Sequence, residues 1–197
     1  VEAQTLSGGS WLSVTPGSGA SAADSLEIPV AEVGVSVVGL RAGQYSGLLK
    51  VTATGANNTP QYVTVDLNVL PGGSNPGVLV RPTGLIFAAR AGGSSPGSQV
   101  VRMATAVAMN VEARGGLMTF DGGNWLEALP RNAVIAPAEV RSITIQPTLG
   151  TLAAGVYRGG LTLLFDDNSP PQVVNILFVV VGGGAGAATM QVDGEAA

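Results

Sequence analysis

Leu40-Arg41-Ala42-Gly43-Gln44-Tyr45-Ser46-Gly47-Leu48 returns later in the chain as Leu152-Ala153-Ala154-Gly155-Val156-Tyr157-Arg158-Gly159-Gly160-Leu161, with Tyr157 standing 112 residues after Tyr45. Working outward, Val1-Glu2-Ala3-Gln4 and Gly8-Gly9-Ser10-Trp11-Leu12, with Pro16 beyond them, are echoed by Val111-Glu112-Ala113-Arg114 and Gly122-Gly123-Asn124-Trp125-Leu126, with Pro130 beyond. Downstream, Thr59-Pro60-Gln61-Tyr62-Val63-Thr64-Val65-Asp66-Leu67-Asn68-Val69 is matched by Pro170-Pro171-Gln172-Val173-Val174-Asn175-Ile176-Leu177-Phe178-Val179-Val180. The offsets are 114 for the tryptophans, 112 for the tyrosines and 111 for the glutamines Gln61 and Gln172. Blocks that recur in one order at a nearly constant offset mark a tandem duplication.

The repeated segments have the period of strands. Val63, Val65, Leu67 and Val69 point one way while Tyr62, Thr64, Asp66 and Asn68 point the other, the signature of a half-buried strand. Ser25-Leu26-Glu27-Ile28-Pro29-Val30 and Arg141-Ser142-Ile143-Thr144-Ile145-Gln146 alternate in the same way. Glycine or proline interrupts almost every window long enough for a helix. Short strands separated by turn signals every ~8–12 residues predict an all-β fold, two tandem immunoglobulin-like sandwiches. In such sandwiches a tyrosine at the start of a late strand bonds back to upstream backbone, and Tyr45 and Tyr157 stand where that corner belongs.

Module two carries a stretch before Val111 with two strand-like runs, Gly84-Leu85-Ile86-Phe87-Ala88 and Gln99-Val100-Val101-Arg102-Met103. Module one has no such stretch, so it is expected to lack its opening strands. The predicted organisation is a first module over residues 1–71, a Gly/Ser/Pro linker over 72–77, a second module over 78–181 and a flexible Gly/Ala-rich tail over 182–197. No signal peptide stands at Val1, as expected of a processed chain or of a portion of a longer one. The apolar run Val173–Val181 is nine residues long, short of the ~20 that a membrane helix needs, and reads as a strand.

Composition narrows the chemistry. The 197 residues are 46% hydrophobic and only 11% charged, which excludes a disordered chain. Nine basic residues against thirteen acidic ones, with no basic cluster, argue against nucleic acid as a partner. Histidine and cysteine are absent. Ser-His-Asp and Cys-His catalysis, histidine-based zinc sites and disulfides are absent with them. No glycine pair has the spacing or the strand-to-helix context that cradles a phosphate. The expectation is no enzymatic activity and no cofactor.

Trp-Leu followed by a proline, then Leu-x-Ala-Gly-x-Tyr-x-Gly and a final Pro-x-x-Val-x-Val/Ile strand resembles the BACON-type immunoglobulin-like module. The resemblance covers residues 1–70 and 78–181. Module two departs from module one by an apparent insertion, Gly115–Asp121, before its tryptophan. The resemblance implies an exported bacterial protein, secreted, periplasmic or at the cell surface, with several modules, and an association with carbohydrate-active enzymes. It supplies no catalytic residue.

Three aromatics are the candidate ligand-binding residues, Trp11, Tyr62 and Trp125, because an aromatic face stacks on the C–H groups of a sugar ring. The competing reading of Trp11 and Trp125 is a plug in the sandwich core, which repetition at equivalent positions favours. Asp166-Asp167-Asn168 has the oxygen ligands for calcium, but it falls in a hairpin where Asp and Asn also stabilise turns. Module one has Gly55-Ala56-Asn57-Asn58 in that place, without a carboxylate, so no shared metal site is expected. The expected role is a spacer or interaction module beside neighbouring domains of a longer chain. Polysaccharide binding is the alternative, and strand exchange or dimerisation through the open edge of module one is a third possibility.

Overall fold

The computed structural model describes residues 1–22 and 25–182. The tail expected over 182–197 lies, from residue 183 onward, outside the described residues. The chain divides into two compact units, with the boundary between Ser74 and Asn75. All regular structure among the described residues is strand, and the fold is all-β and immunoglobulin-like.

The second unit is a full sandwich. One sheet holds β10 (Leu126–Leu129), β12 (Val140–Pro147), β8 (Gln99–Thr105) and β6 (Val78–Arg81), in that spatial order. The other holds β11 (Asn132–Ile135), β9 (Val111–Thr119), β13 (Gly155–Phe165), β14 (Gln172–Val181) and β7 (Gly84–Arg90). Every pairing is antiparallel except β14 with β7, which runs parallel from Asn175 opposite Gly84 to Val181 opposite Arg90. Alternation decides what is buried. Along β14 the side chains of Val174, Ile176, Phe178 and Val180 enter the core, and along β7 those of Leu85, Phe87 and Ala89 do so. Val101, Met103, Ile143 and Ile145 meet them from the opposite sheet. Each of these side chains other than Ala89 stabilises the sandwich by about 1.5–3 kcal/mol through removal from water.

The first unit repeats part of this plan. One sheet has the order β1 (Glu2–Thr5), β4 (Gly43–Val51), β5 (Gln61–Val69), and the other is the pair β2 (Leu12–Thr15) and β3 (Glu32–Val35). β4 and β5 pair as β13 and β14 do, and β2 and β3 as β10 and β12 do. No described strand takes the places of β6, β7, β8 or β11. Three strands therefore precede β9 in unit two, not the two expected from Gly84–Ala88 and Gln99–Met103. The consequence for the core is large. Trp11 and Leu49 are the buried apolar side chains described in unit one, against twenty-two in unit two.

Two sequence expectations need correction. Thr5 lies opposite Gly47, as Thr119 lies opposite Gly159, so β1 corresponds to residues 116–119 at the same offset of 114 as the tryptophans. The likeness of Val1–Gln4 to Val111–Arg114 is out of register by four residues, and Gly115–Asp121 is no insertion. The strand expected at Ser25–Val30 is also displaced, because the ladder forms at Glu32–Val35. The stretch Ile28–Ala31 corresponds to Val140–Ile143, which β8 holds in place. Without a β8, and with Pro29 unable to donate a backbone hydrogen bond, those residues have no ladder to join.

Candidate functional site

Trp11 and Trp125 stand immediately before β2 and β10 and are each 3% exposed. The Trp11 Nε1–H donates to the Ser7 carbonyl at 2.7 Å. The Trp125 Nε1–H donates to both carboxylate oxygens of Asp121, at 2.9 and 3.0 Å. Both acceptors lie four residues upstream, so a carbonyl in one unit does the work of a carboxylate in the other. The Trp125 ring packs 5.7 Å from Phe178 and 6.3 Å from Tyr157, centroid to centroid. Glycine makes room for each tryptophan and for the leucine that follows it. A Cβ on Gly159 would lie 2.8 Å from Leu126 Cδ2 and 3.0 Å from the Met118 carbonyl, and one on Gly47 2.6 Å from Leu12 Cδ2. These two rings seal the interior and offer no stacking face to a ligand. Tyr62, on the outward face of β5 beside Lys50, is 57% exposed.

The tyrosine corners are formed. Tyr45 Oη–H donates to the Arg41 carbonyl and Tyr157 Oη–H to the Ala153 carbonyl, each at 2.9 Å and each four residues back. Sequence reading did not anticipate Asp121 as the anchor of an indole. The signal lies in the spacing Asp121-Gly122-Gly123-Asn124-Trp125, which sets a carboxylate four residues before the indole.

The acids of the last hairpin are occupied by their own chain. Asp166 Oδ1 accepts the Glu112 backbone N–H at 2.8 Å. Asp167 accepts the Ser169 hydroxyl at 2.7 Å and the Ser169 backbone N–H at 2.9 Å, and these bonds, the hydroxyl's first, hold its carboxyl below the usual aspartate range. Asn168 takes a left-handed φ of 61° between them, as a turn residue does. Glu112 is likewise lowered, first by its side-chain bonds from Arg114 and then by that residue's charge. A depression of about 460 Å³ beside β6 is lined by Leu79, Arg81, Thr83, Thr105 and Gln172, among others, and has no carboxylate in its wall. It brings together no acid–base pair.

The surface that departs from an ordinary sandwich is in unit one. β5 ends its sheet where β14 carries β7, and β3 ends its sheet where β12 carries β8. The inward residues Val63, Val65, Leu67 and Val69 are consequently only half-buried. Val33 and Val35 on β3 are exposed, though their counterparts Ile145 and Pro147 are buried.

No protein-family model and no curated protein matches this sequence. Solved structures do match. The chain is similar to the periplasmic chaperone SfaE at 11% identity and a TM-score of 0.42, over 55% of this chain and 59% of that one. It is similar to PapD-like domain 7 of human CEP192 at 8% identity and a TM-score of 0.43, over 60% and 96% of the two chains. A family 123 glycoside hydrolase from Clostridium perfringens matches at 11% identity and a TM-score of 0.43, over 54% of this chain and 27% of the enzyme. The chain thus spans somewhat more than half the length of SfaE. These likenesses concern the fold. No helix among the described residues is long and apolar enough to cross a membrane, and Val173–Val181 lies in β14.

Proposed function

We propose that the chain is a non-catalytic structural spacer or interaction module of a larger exported bacterial protein. One observation carries the reading. What the two units share is scaffold: the buried indole with its acceptor four residues back, the tyrosine corner, and the glycine under the indole. The exposed aromatic Tyr62 is not repeated, and the acids of the last hairpin, which have no counterpart in unit one, are taken up by their own chain. The resemblance to BACON-type modules supports export from a bacterial cell and a multi-module parent.

A glycan-array and insoluble-polysaccharide screen tests this reading, with tryptophan emission followed alongside. The expected result is no saturable binding and a blue-shifted emission that resists quenching. Saturable binding abolished by Tyr62→Ala would replace the spacer with the carbohydrate-binding alternative.

A further inference from the structure

We infer that the edge of β5, which no other described strand covers, accepts an extended segment of a partner polypeptide, parallel to itself, with large apolar residues at alternate positions and a basic residue on its outward side. This deepens the interaction-module reading and rests on it. The second unit supplies the template. There the outer edge of β14 is taken by β7, and the Asn175 N–H donates to the Thr83 carbonyl at 2.8 Å. Leu85, Phe87 and Ala89 of β7 close the core beside Ile176, Phe178 and Val180. By the offset of 111 that relates β5 to β14, Thr64 takes the place of Asn175. The amides of Thr64, Asp66 and Asn68 therefore face the side that no described strand covers, by the period of two along a strand.

Among the described residues the edge is unguarded. Sheets that must not pair protect an edge by shortness, by lysine, by proline within the strand or by a bulge. β5 is nine residues long, with no lysine and no proline within it, and it pairs with β4 in unbroken register. Its inward residues are smaller than those of β14, with Val65 for Ile176 and Leu67 for Phe178. A donor must accordingly bring bulk, as Leu85 and Phe87 do. Charge selects the rest. Residues 1–74 hold five acidic residues and two basic ones, and Asp66 is exposed on the outward face of β5. The residue of a donor in the place of Ile86 would stand beside Asp66, as Ile86 stands beside Leu177. A second copy pairing through its own β5 would bring its Asp66 to the same edge, a like-charge arrangement. Exchange of β7 between copies would open one core to close another.

The test uses the full chain and a synthetic peptide with the sequence Thr83–Arg90 carrying Ile86→Lys. Binding is read by fluorescence anisotropy and amide exchange by NMR. The expected result is saturable binding that slows exchange at Thr64, Asp66 and Asn68 by at least about tenfold. A peptide with Leu85→Ser and Phe87→Ser should bind at least about tenfold more weakly. In the chain, Asp66→Lys should weaken the lysine peptide and restore binding to one carrying Ile86→Glu, a reversal that misfolding does not produce. No saturation, equal binding of the serine peptide, or slowed amides confined to other strands would overturn the inference. So would slow exchange at those three amides in the chain alone. Persistence of that protection on dilution would assign the edge to the chain's own residues, and its loss on dilution to a second copy. Failure of the peptide without glycan binding removes the strand site and leaves the spacer reading, whereas saturable glycan binding removes the reading itself.

Discussion

Phe178 and Leu67 hold equivalent positions, and truncating each to alanine measures how far the two cores differ. Phe178 is fully buried between β13 and β7, with its ring 5.7 Å from that of Trp125 and 6.5 Å from that of Tyr157. Phe178→Ala removes the transfer energy of the ring and leaves a cavity, which together cost about 3–5 kcal/mol at such a site. Leu67 has no described strand on its outer side and is half-buried. Leu67→Ala loses only part of a leucine's transfer energy and opens no closed cavity, so the cost is about 1 kcal/mol. The two tryptophans separate the units optically. Urea unfolding of Phe178→Ala in a Trp11→Phe background reports unit two through Trp125, and Leu67→Ala in a Trp125→Phe background reports unit one through Trp11. With a urea m-value of about 2 kcal/mol/M, the midpoints should fall by about 2 M and about 0.5 M. Equal losses at the two positions would refute the incomplete-core description of unit one.

Asp121→Ala leaves the Trp125 N–H without its acceptor in a buried site and should cost about 1–3 kcal/mol, whereas Asp121→Asn, which keeps an acceptor, should recover most of it in the same urea assay. Gly159→Ala drives a Cβ to 3.0 Å from the Met118 carbonyl and should destabilise unit two by about 1–3 kcal/mol, seen as a lowered calorimetric midpoint. Asp167 should titrate below an ordinary aspartate in an NMR pH series, and Ser169→Ala should return it toward the usual value. Because the folded carboxyl is the stronger acid, its contribution is present above the unfolded aspartate pKa of about 3.9 and is lost as pH falls through the lower folded value. A titration unchanged by the serine substitution would contradict that assignment.

The strands were legible wherever alternation and turn chemistry agreed. β5 stands out because it alternates for nine residues after a proline, and β14 because the nine-residue apolar run Val173–Val181 follows closely on one. The tyrosine corners were legible because Ala-Gly-x-Tyr fixes both a turn and a donor. Register was not. Val-Glu-Ala occurs at residues 1–3 and 111–113, and a three-residue identity outweighed the tryptophan spacing that gives the true alignment. The ladder at Glu32–Val35 was missed for a tertiary reason. Ser25–Val30 has the better pattern, but a strand needs a neighbour, and β2 reaches only as far as Glu32. The tryptophans could be read as platform or plug from composition alone, and only their burial at 3% separates the two. The unguarded edge of β5 is likewise invisible in its own sequence, which differs little from that of β14. What differs is a strand elsewhere in the chain.

The parallel pairing of β7 with β14 also sets a timetable for the second unit. Gly84 meets Asn175, ninety-one residues later in the chain, so β7 cannot find its place until β14 exists. At ribosomal rates of about 5–20 residues per second, Leu85 and Phe87 remain without their core for roughly 5–18 s after they are made. Contacts this distant also slow folding once synthesis is complete. β7, one of the first strands of the unit to be synthesised, is thus among the last to be secured, and the interval between the two events is when this protein most needs protection from its neighbours.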